Sequence, residues 1–446
     1  MKNIRYIIST IAILMHQVFL MAQVPVPADN QQNPIMLVGG VAHLGNGNVI
    51  QNAIIAFENG KLTIVADAAT DQTDRSRYEV IDISGKHIYP GFILPNTQLG
   101  LQEVSSIRAM SDNSERGSIN PNVRSIIAYN TDSEISPTLR FNGILLAEPT
   151  PTGGIISGTS SVVELDGWNW EDAAHTVDVA IHLNWPARMT RRFDFSTFTV
   201  KREPNKNFDK NVHELEKHFN DAVSYSKLAV RPVNIKMSAM SGLFDGSKVL
   251  ILHTNDPKGI VESVKFAQNH GVKRITVVTG DAAWHAREFL RQNNIAVILP
   301  ATHSMPSRAD ADYDFPFKLP YLLSNAGVMV ALSHRGEGDE IPENAGMLAN
   351  SRNLPFYAGT AVAYGVDKEE ALKMITSNTA KILGIDNRTG TLEAGKDATL
   401  FVSEGDAFDF RTNNLSHAFI SGKAIVLDNK QQALFERYSK KYGHSK

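Results

Sequence analysis

A chain of 446 residues has room for one large domain and a smaller one, or for two ordinary domains. Its 42% hydrophobic and 20% charged residues suit a packed globular protein and argue against wholesale disorder. A formal charge of −3, with no long Lys/Arg run and no interleaving of basic and aromatic residues, excludes nucleic acid from the expected partners.

Lys2 and Arg5 precede an apolar run over residues 6–15, a second apolar patch follows over 18–21, and Ala22-Gln23 comes next. That order of basic, apolar and small residues predicts a secretory signal peptide over residues 1–22, cleaved near Ala22. His16 and Gln17 interrupt the run before it reaches the roughly 20 apolar residues of a membrane span. The expected location is therefore exported, periplasmic or extracellular, with no membrane attachment after cleavage. Cysteine is absent, which removes thiolate chemistry, disulfides and Cys-bound zinc.

A polar, Pro-containing spacer over residues 23–34 leads into short β-type runs at 35–38, 49–57, 61–65 and 78–83, separated by Gly, Asn and Asp. Similar runs return at 398–403, 418–420 and 423–427, the last two joined by Ser421-Gly422. Two β-rich ends around a mixed middle predict a small β-sandwich domain assembled from residues 35–89 and 385–430. A larger domain over 90–384 lies between them, and 431–446 form a C-terminal tail. In the middle, apolar strands at 249–252, 275–278, 296–299 and 328–332 alternate with helices. Asp256-Pro257 supplies an N-cap and first helical residue, and Gly271 a stop. Covered parallel strands fit a barrel or an open doubly wound sheet equally well by periodicity, and the length of the middle domain favours a (β/α)8 TIM-like barrel. The charged stretch 188–210 reads as a solvated connection over the barrel mouth. Residues 212–227 read as an amphipathic helix with Val212, Leu215, Phe219 and Val223 on one face. Two Gly-rich stretches, 150–154 and 157–159, follow an apolar strand at 144–147. They lack a P-loop or dinucleotide ending and read as turns. No Ser nucleophile elbow is present.

Val80-Ile81-Asp82, Gly85-Lys86 and Ile88-Tyr89-Pro90-Gly91-Phe92-Ile93 resemble the point where amidohydrolase-superfamily proteins pass from β-domain to first barrel strand. Asn378-Thr379-Ala380-Lys381-Ile382-Leu383-Gly384 and Gly390-Thr391-Leu392-Glu393-Ala394-Gly395-Lys396-Asp397-Ala398 are similar to the exit from the barrel. With the middle strands, the resemblance spans nearly the whole mature chain and is to imidazolonepropionase-like amidohydrolases. It implies hydrolysis of a non-peptide C–N bond, in a cyclic amide or similar small substrate, by a metal-bound hydroxide.

The family's metal ligands are mostly replaced. Its His-x-His at the end of the first strand uses the strand's period of two to aim both rings at one metal. Asn96 and Gln98 occupy those positions here. The fifth-strand His is matched by His253, the sixth-strand His by Thr279, and the eighth-strand Asp by Arg335. A guanidinium at that last position repels a metal and accepts no proton. The resemblance puts the fourth-strand ligand near residues 236–240, without assigning one. A catalytic zinc needs about three firm ligands and an open position, and only His253 is kept. His303, His334, Glu337, Asp339 and Glu340 offer further donors in loops after later strands, while His285 falls inside a helix; the loop at 335–339 reads as solvated. Two functions follow as expectations. One is a C–N hydrolase using zinc or another divalent metal held by an altered set. The other is an inactive relative that binds a small molecule through Asn96, Gln98, His253, Thr279 and Arg335 without cofactor, or serves as a partner subunit. Expected partners are a small-molecule ligand or substrate, a second copy, or an intact paralogue.

Overall fold

A computed structural model describes residues 26–104, 107–194, 197–308, 310–334 and 348–444. The signal segment, Arg335, Glu337, Asp339 and Glu340 lie outside the described residues. Among the described residues, no helix is long and apolar enough to cross a membrane.

The two chain ends meet in one sheet. β1 (Ile35–His43), β2 (Val49–Glu58), β3 (Lys61–Asp67), β4 (Glu79–Asp82) and β5 (His87–Pro90) come from the first end. β16 (Leu400–Ser403), β17 (Leu415–Ile420) and β18 (Lys423–Ala424) come from the second. The order is β18-β17-β16-β5-β1-β2-β3, with β4 beside β1. β5 is the seam: it runs parallel to β1 and antiparallel to β16, where Leu400 faces Pro90. Phe57 and Phe419, one from each end, pack edge to face at 4.9 Å, so neither segment completes its core without the other. Beyond this sheet the tail forms a helix over Lys430–Tyr442, capped by Asn429.

The larger sheet contains β6 (Phe92–Thr97), β7 (Ile144–Pro149), β8 (Ile156–Glu164), β9 (Ala174–Asn184), β12 (Val249–His253), β13 (Ile275–Val278), β14 (Ala296–Leu299) and β15 (Val330–Leu332), hydrogen-bonded in that order. The predicted runs are strands because helices cover their outer face and side chains fill the inner one, leaving no use for alternation. Asp256 caps its helix as expected, accepting from the Gly259 N–H at 2.8 Å. The gap between β6 and β15 is crossed by Ser333 Oγ, which donates to Pro95 O at 2.7 Å, and the helix Ser377–Leu383 holds β15 through Asn378 Nδ2, which donates to Val330 O at 3.0 Å. The result is a TIM-like barrel beside the composite β-domain.

The structure corrects four details of the sequence reading. β8 runs antiparallel to both neighbours. The connection from β7 to β8 is residues 150–155, far short of the dozen or more residues that a parallel crossover requires. The first Gly-rich stretch makes that turn, whereas Ser157-Gly158-Thr159 lie inside β8. There Gly158 has φ +152° at a register shift, and a Cβ would fall 2.6 Å from Val123 O. The stretch read as a solvated connection holds a ribbon of β10 (Met189–Asp194) and β11 (Thr199–Pro204), antiparallel along its length. Residues 236–240 belong to a helix, Ile235–Asp245, started by Asn234 accepting from the Met237 N–H at 3.2 Å. The fourth barrel strand is therefore β9. The amphipathic helix expected over 212–227 spans Phe208–Ser226 and buries Leu215, Phe219, Ala222 and Tyr225.

Candidate functional site

β6, β7, β9, β12 and β13 point the same way, so Asn96, Glu148, His182, His253 and Thr279 lie toward one end of the barrel, where barrel active sites are built. Asn96 has left-handed backbone, φ 51°, at a register shift between β6 and β7. Asn is among the few non-glycine residues that adopt this conformation readily. The turn aims its N–H at Glu148 Oε2, 3.0 Å away. It also interrupts the period of two on which the convergence of Asn96 and Gln98 was predicted. The Gln98 side chain instead accepts through Oε1 from Asn113 Nδ2 at 2.9 Å.

Glu148, the penultimate residue of β7, is fully buried. Its Oε1 accepts from Ser160 Oγ of β8 at 2.7 Å and faces His182 Nε2 of β9 at 3.2 Å. Ser160 Oγ is also 2.8 Å from that Nε2. The other ring nitrogen of His182, Nδ1, is 3.0 Å from Nε2 of His253 at the end of β12. The carboxylate fixes the tautomers: His182 donates through Nε2 toward Glu148, so its Nδ1 accepts from His253 Nε2–H. His182 is fully buried and His253 partly exposed, so a buried carboxylate orients a ring at the mouth through a second ring.

Two polar atoms nearby stand out for the opposite reason. Asn96 Oδ1 and Thr279 Oγ1 are buried without a hydrogen-bond partner. Thr279 is fully buried and Asn96 1% exposed, so neither side chain reaches bulk solvent. An unpartnered buried polar atom costs about 1–3 kcal/mol.

The remaining candidate donors go elsewhere. His334 Nδ1 and Tyr357 OH are 2.7 Å apart, while His303 Nε2 meets Thr360 Oγ1 at 2.7 Å and its ring packs edge-on against Tyr357. Burial pushes the His303 imidazole below its ordinary pKa. His285 is exposed on a helix.

This donor set does not fit a divalent metal. Among the described residues, no group of three His, Cys, Asp or Glu side chains is arranged to hold one. The two imidazoles that come together do so nitrogen to nitrogen, and Glu148 already accepts on both oxygens. Asn96 and Thr279 offer only neutral oxygens, weak substitutes for imidazole at zinc.

Glu148, Ser160 and His182 escaped the sequence reading. The available signal was a lone ionisable residue within an apolar run, in Ile144–Pro149 and again in 179–183, since such groups are buried only when paired.

A TIM-like barrel beside a β-domain made from both chain termini is the architecture of the amidohydrolase class. The sequence places the chain within that class: a profile of the amidohydrolase family matches residues 189–425, more than half of its length, and the protein belongs to that family. An imidazolonepropionase of Rhizobium rhizogenes is 22% identical over 383 residues, covering 80% of this chain and 88% of that protein. The crystal structure of an amidohydrolase from Thermotoga maritima MSB8 matches with a TM-score of 0.72 at 20% identity, over 88% of this chain and 99% of the other. An adenosine deaminase from Xanthomonas campestris, solved with bound zinc, matches with a TM-score of 0.50 at 13% identity, over 93% of this chain and 98% of the other. At these identities the structural matches speak for the fold alone.

Proposed function

We propose that the barrel mouth binds a small nitrogen-bearing molecule of the amide or cyclic-amide class through its own side chains, without a metal. The observation that carries this reading is the pair of buried, unpartnered oxygens, Asn96 Oδ1 and Thr279 Oγ1. The first accepts only, and the second donates or accepts. An amide presents both complements, an N–H for Asn96 and a carbonyl for Thr279. The metal-ligand positions of the family have thus become hydrogen-bonding positions. The test is calorimetric titration with five- and six-membered cyclic amides such as 2-pyrrolidinone and hydantoin, in chelator. Binding that survives chelation and weakens about tenfold or more in Thr279→Val supports the reading. About one equivalent of tightly held zinc in purified protein overturns it.

A second reading, hydrolysis of the C–N bond of that ligand, is favoured by one observation: the Glu148–His182–His253 chain has the form of a base held in place by a buried carboxylate. Slow hydrolysis that Glu148→Gln reduces, with binding retained, supports it. Turnover that is absent, or unchanged in that variant, removes it.

The N-terminal sequence supports export with cleavage near Ala22, which N-terminal sequencing of the secreted or periplasmic protein tests. The substituted ligand positions equally suit a subunit that accompanies an intact paralogue, and co-purification tests that pairing.

A further inference from the structure

Beside the mouth, a cavity of about 190 Å³ opens beyond the ends of β13 and β14. Its lining includes Leu299, Ala301, Pro316 and Leu319, together with Thr302 and Asp281. Gly280, which follows Thr279 directly in the chain, also borders it. Ser307 closes one side through two hydrogen bonds, its N–H and Oγ both donating to Asp281 Oδ2 at 2.7 Å. Thr302 is 4% exposed, and its Oγ1 has no partner.

We infer that this cavity is a binding subsite for a neutral, ring-sized apolar group carrying one hydrogen-bonding atom. The size argument is direct: an apolar cavity of about 150 Å³ takes a benzene ring. The aliphatic lining favours such a ring over water, and the idle Thr302 hydroxyl is a polar contact whose present state has an energetic cost. Asp281 sets the charge rule, since a carboxylate at the wall repels an acid and tolerates a neutral group. The inference rests on the cavity residues alone. It goes beyond the reading of the mouth and stands or falls separately from it.

The test uses three probes on the full mature chain: benzyl alcohol, toluene and benzoate, followed by methyl NMR of Leu299 and Leu319. Benzyl alcohol is expected to shift both leucines saturably. The isosteric variant Thr302→Val weakens benzyl alcohol about fivefold or more and leaves toluene within twofold. Benzoate binds at least tenfold more weakly than benzyl alcohol, and Asp281→Asn narrows that gap. Ala301→Phe, which fills the cavity, abolishes the shifts while the rest of the methyl spectrum stays folded. The inference is overturned if benzyl alcohol gives no saturable shift at these leucines in folded wild-type protein. Equal weakening of toluene and benzyl alcohol by Thr302→Val, or benzoate binding as tightly as the alcohol, overturns it too. Cyclic amides titrated in parallel report on the mouth through Thr279→Val, so failure of one site is distinguishable from failure of the other.

Discussion

The Nδ1 of His182 lies 3.0 Å from the Nε2 of His253, so the partly exposed ring at the end of β12 is joined to a hydrogen-bonded chain that reaches Glu148. The inner end is a fully buried carboxylate, which depends on His182 and Ser160 for partners at Oε1. Chain order then decides which deletion hurts most.

His182→Ala is expected to lower stability by about 2–4 kcal/mol, because it removes a buried donor from Glu148 and leaves a cavity in place of the ring. His253→Ala, at the partly exposed end, should lose distinctly less. Urea unfolding of the two variants measures the ranking. If His253→Ala proves the more damaging, the carboxylate does not depend on His182 as described.

Asn96 combines two unfavourable features, a positive φ and a buried Oδ1 without a partner. Asn96→Gly relieves both and keeps the N–H that donates to Glu148. It should raise stability by about 1 kcal/mol while weakening the binding of cyclic amides. Thermal unfolding and calorimetry on the same preparation check the pair of effects. A destabilised variant would show that the Asn96 side chain already makes a favourable contact in the protein.

Thr279 and Ser333 make a controlled comparison, since both are fully buried hydroxyl residues just beyond barrel strands. Ser333 Oγ is engaged, donating to Pro95 O across the gap between β15 and β6 at 2.7 Å, whereas Thr279 Oγ1 is idle. Thr279→Val should therefore be neutral or stabilising by up to about 1 kcal/mol, and Ser333→Ala destabilising by about 1–2 kcal/mol. Denaturant midpoints for the two variants test the contrast, and the same sign for both would contradict it.

The sequence announced those parts of the barrel whose strands are apolar throughout. β12 to β15 stand out because both faces are covered, and His253 stands out because it closes such a run. β8 and β9 stayed hidden for the converse reason. β8 is buried along its whole length yet reads ISGTSSVVE, a composition typical of turns. Its polar side chains are satisfied inside the protein: Ser160 by Glu148, and Thr159 Oγ1 by Pro121 O at 2.7 Å. With those strands hidden in the sequence, the family resemblance points for the fourth strand to residues 236–240, which lie in the helix Ile235–Asp245, and gives no sign of His182 beside His253. Asn96 reads in the sequence as one of two side chains on a strand face, but its left-handed turn at the register shift with β7 does not follow the strand period.

Asp397 governs the behaviour of the domain junction in acid. Its Oδ2 accepts from Arg388 Nε at 2.9 Å and from His175 Nε2 of β9 at 3.2 Å, and Lys61 of β3 reaches its Oδ1. Burial alone would raise this carboxyl, but the hydrogen bonds from His175 and Lys61 and the charge of Arg388 outweigh burial and hold it at about 2, against the usual 3.8. A carboxyl depressed in the folded state stabilises fully above its unfolded pKa and stops doing so as pH falls through its folded one. The window here runs from about pH 4 down to about pH 2, and the shift is worth about 2 kcal/mol. Because the cluster ties β3 and the exit segment to β9, the two domains should loosen within that window. Asp397→Asn should lose stability at neutral pH and show a flatter dependence between pH 4 and 2, so that the two proteins converge at the acid end. Urea midpoints measured at half-unit steps reveal this, and parallel curves for wild type and variant would show that the carboxylate of Asp397 is not what acid removes.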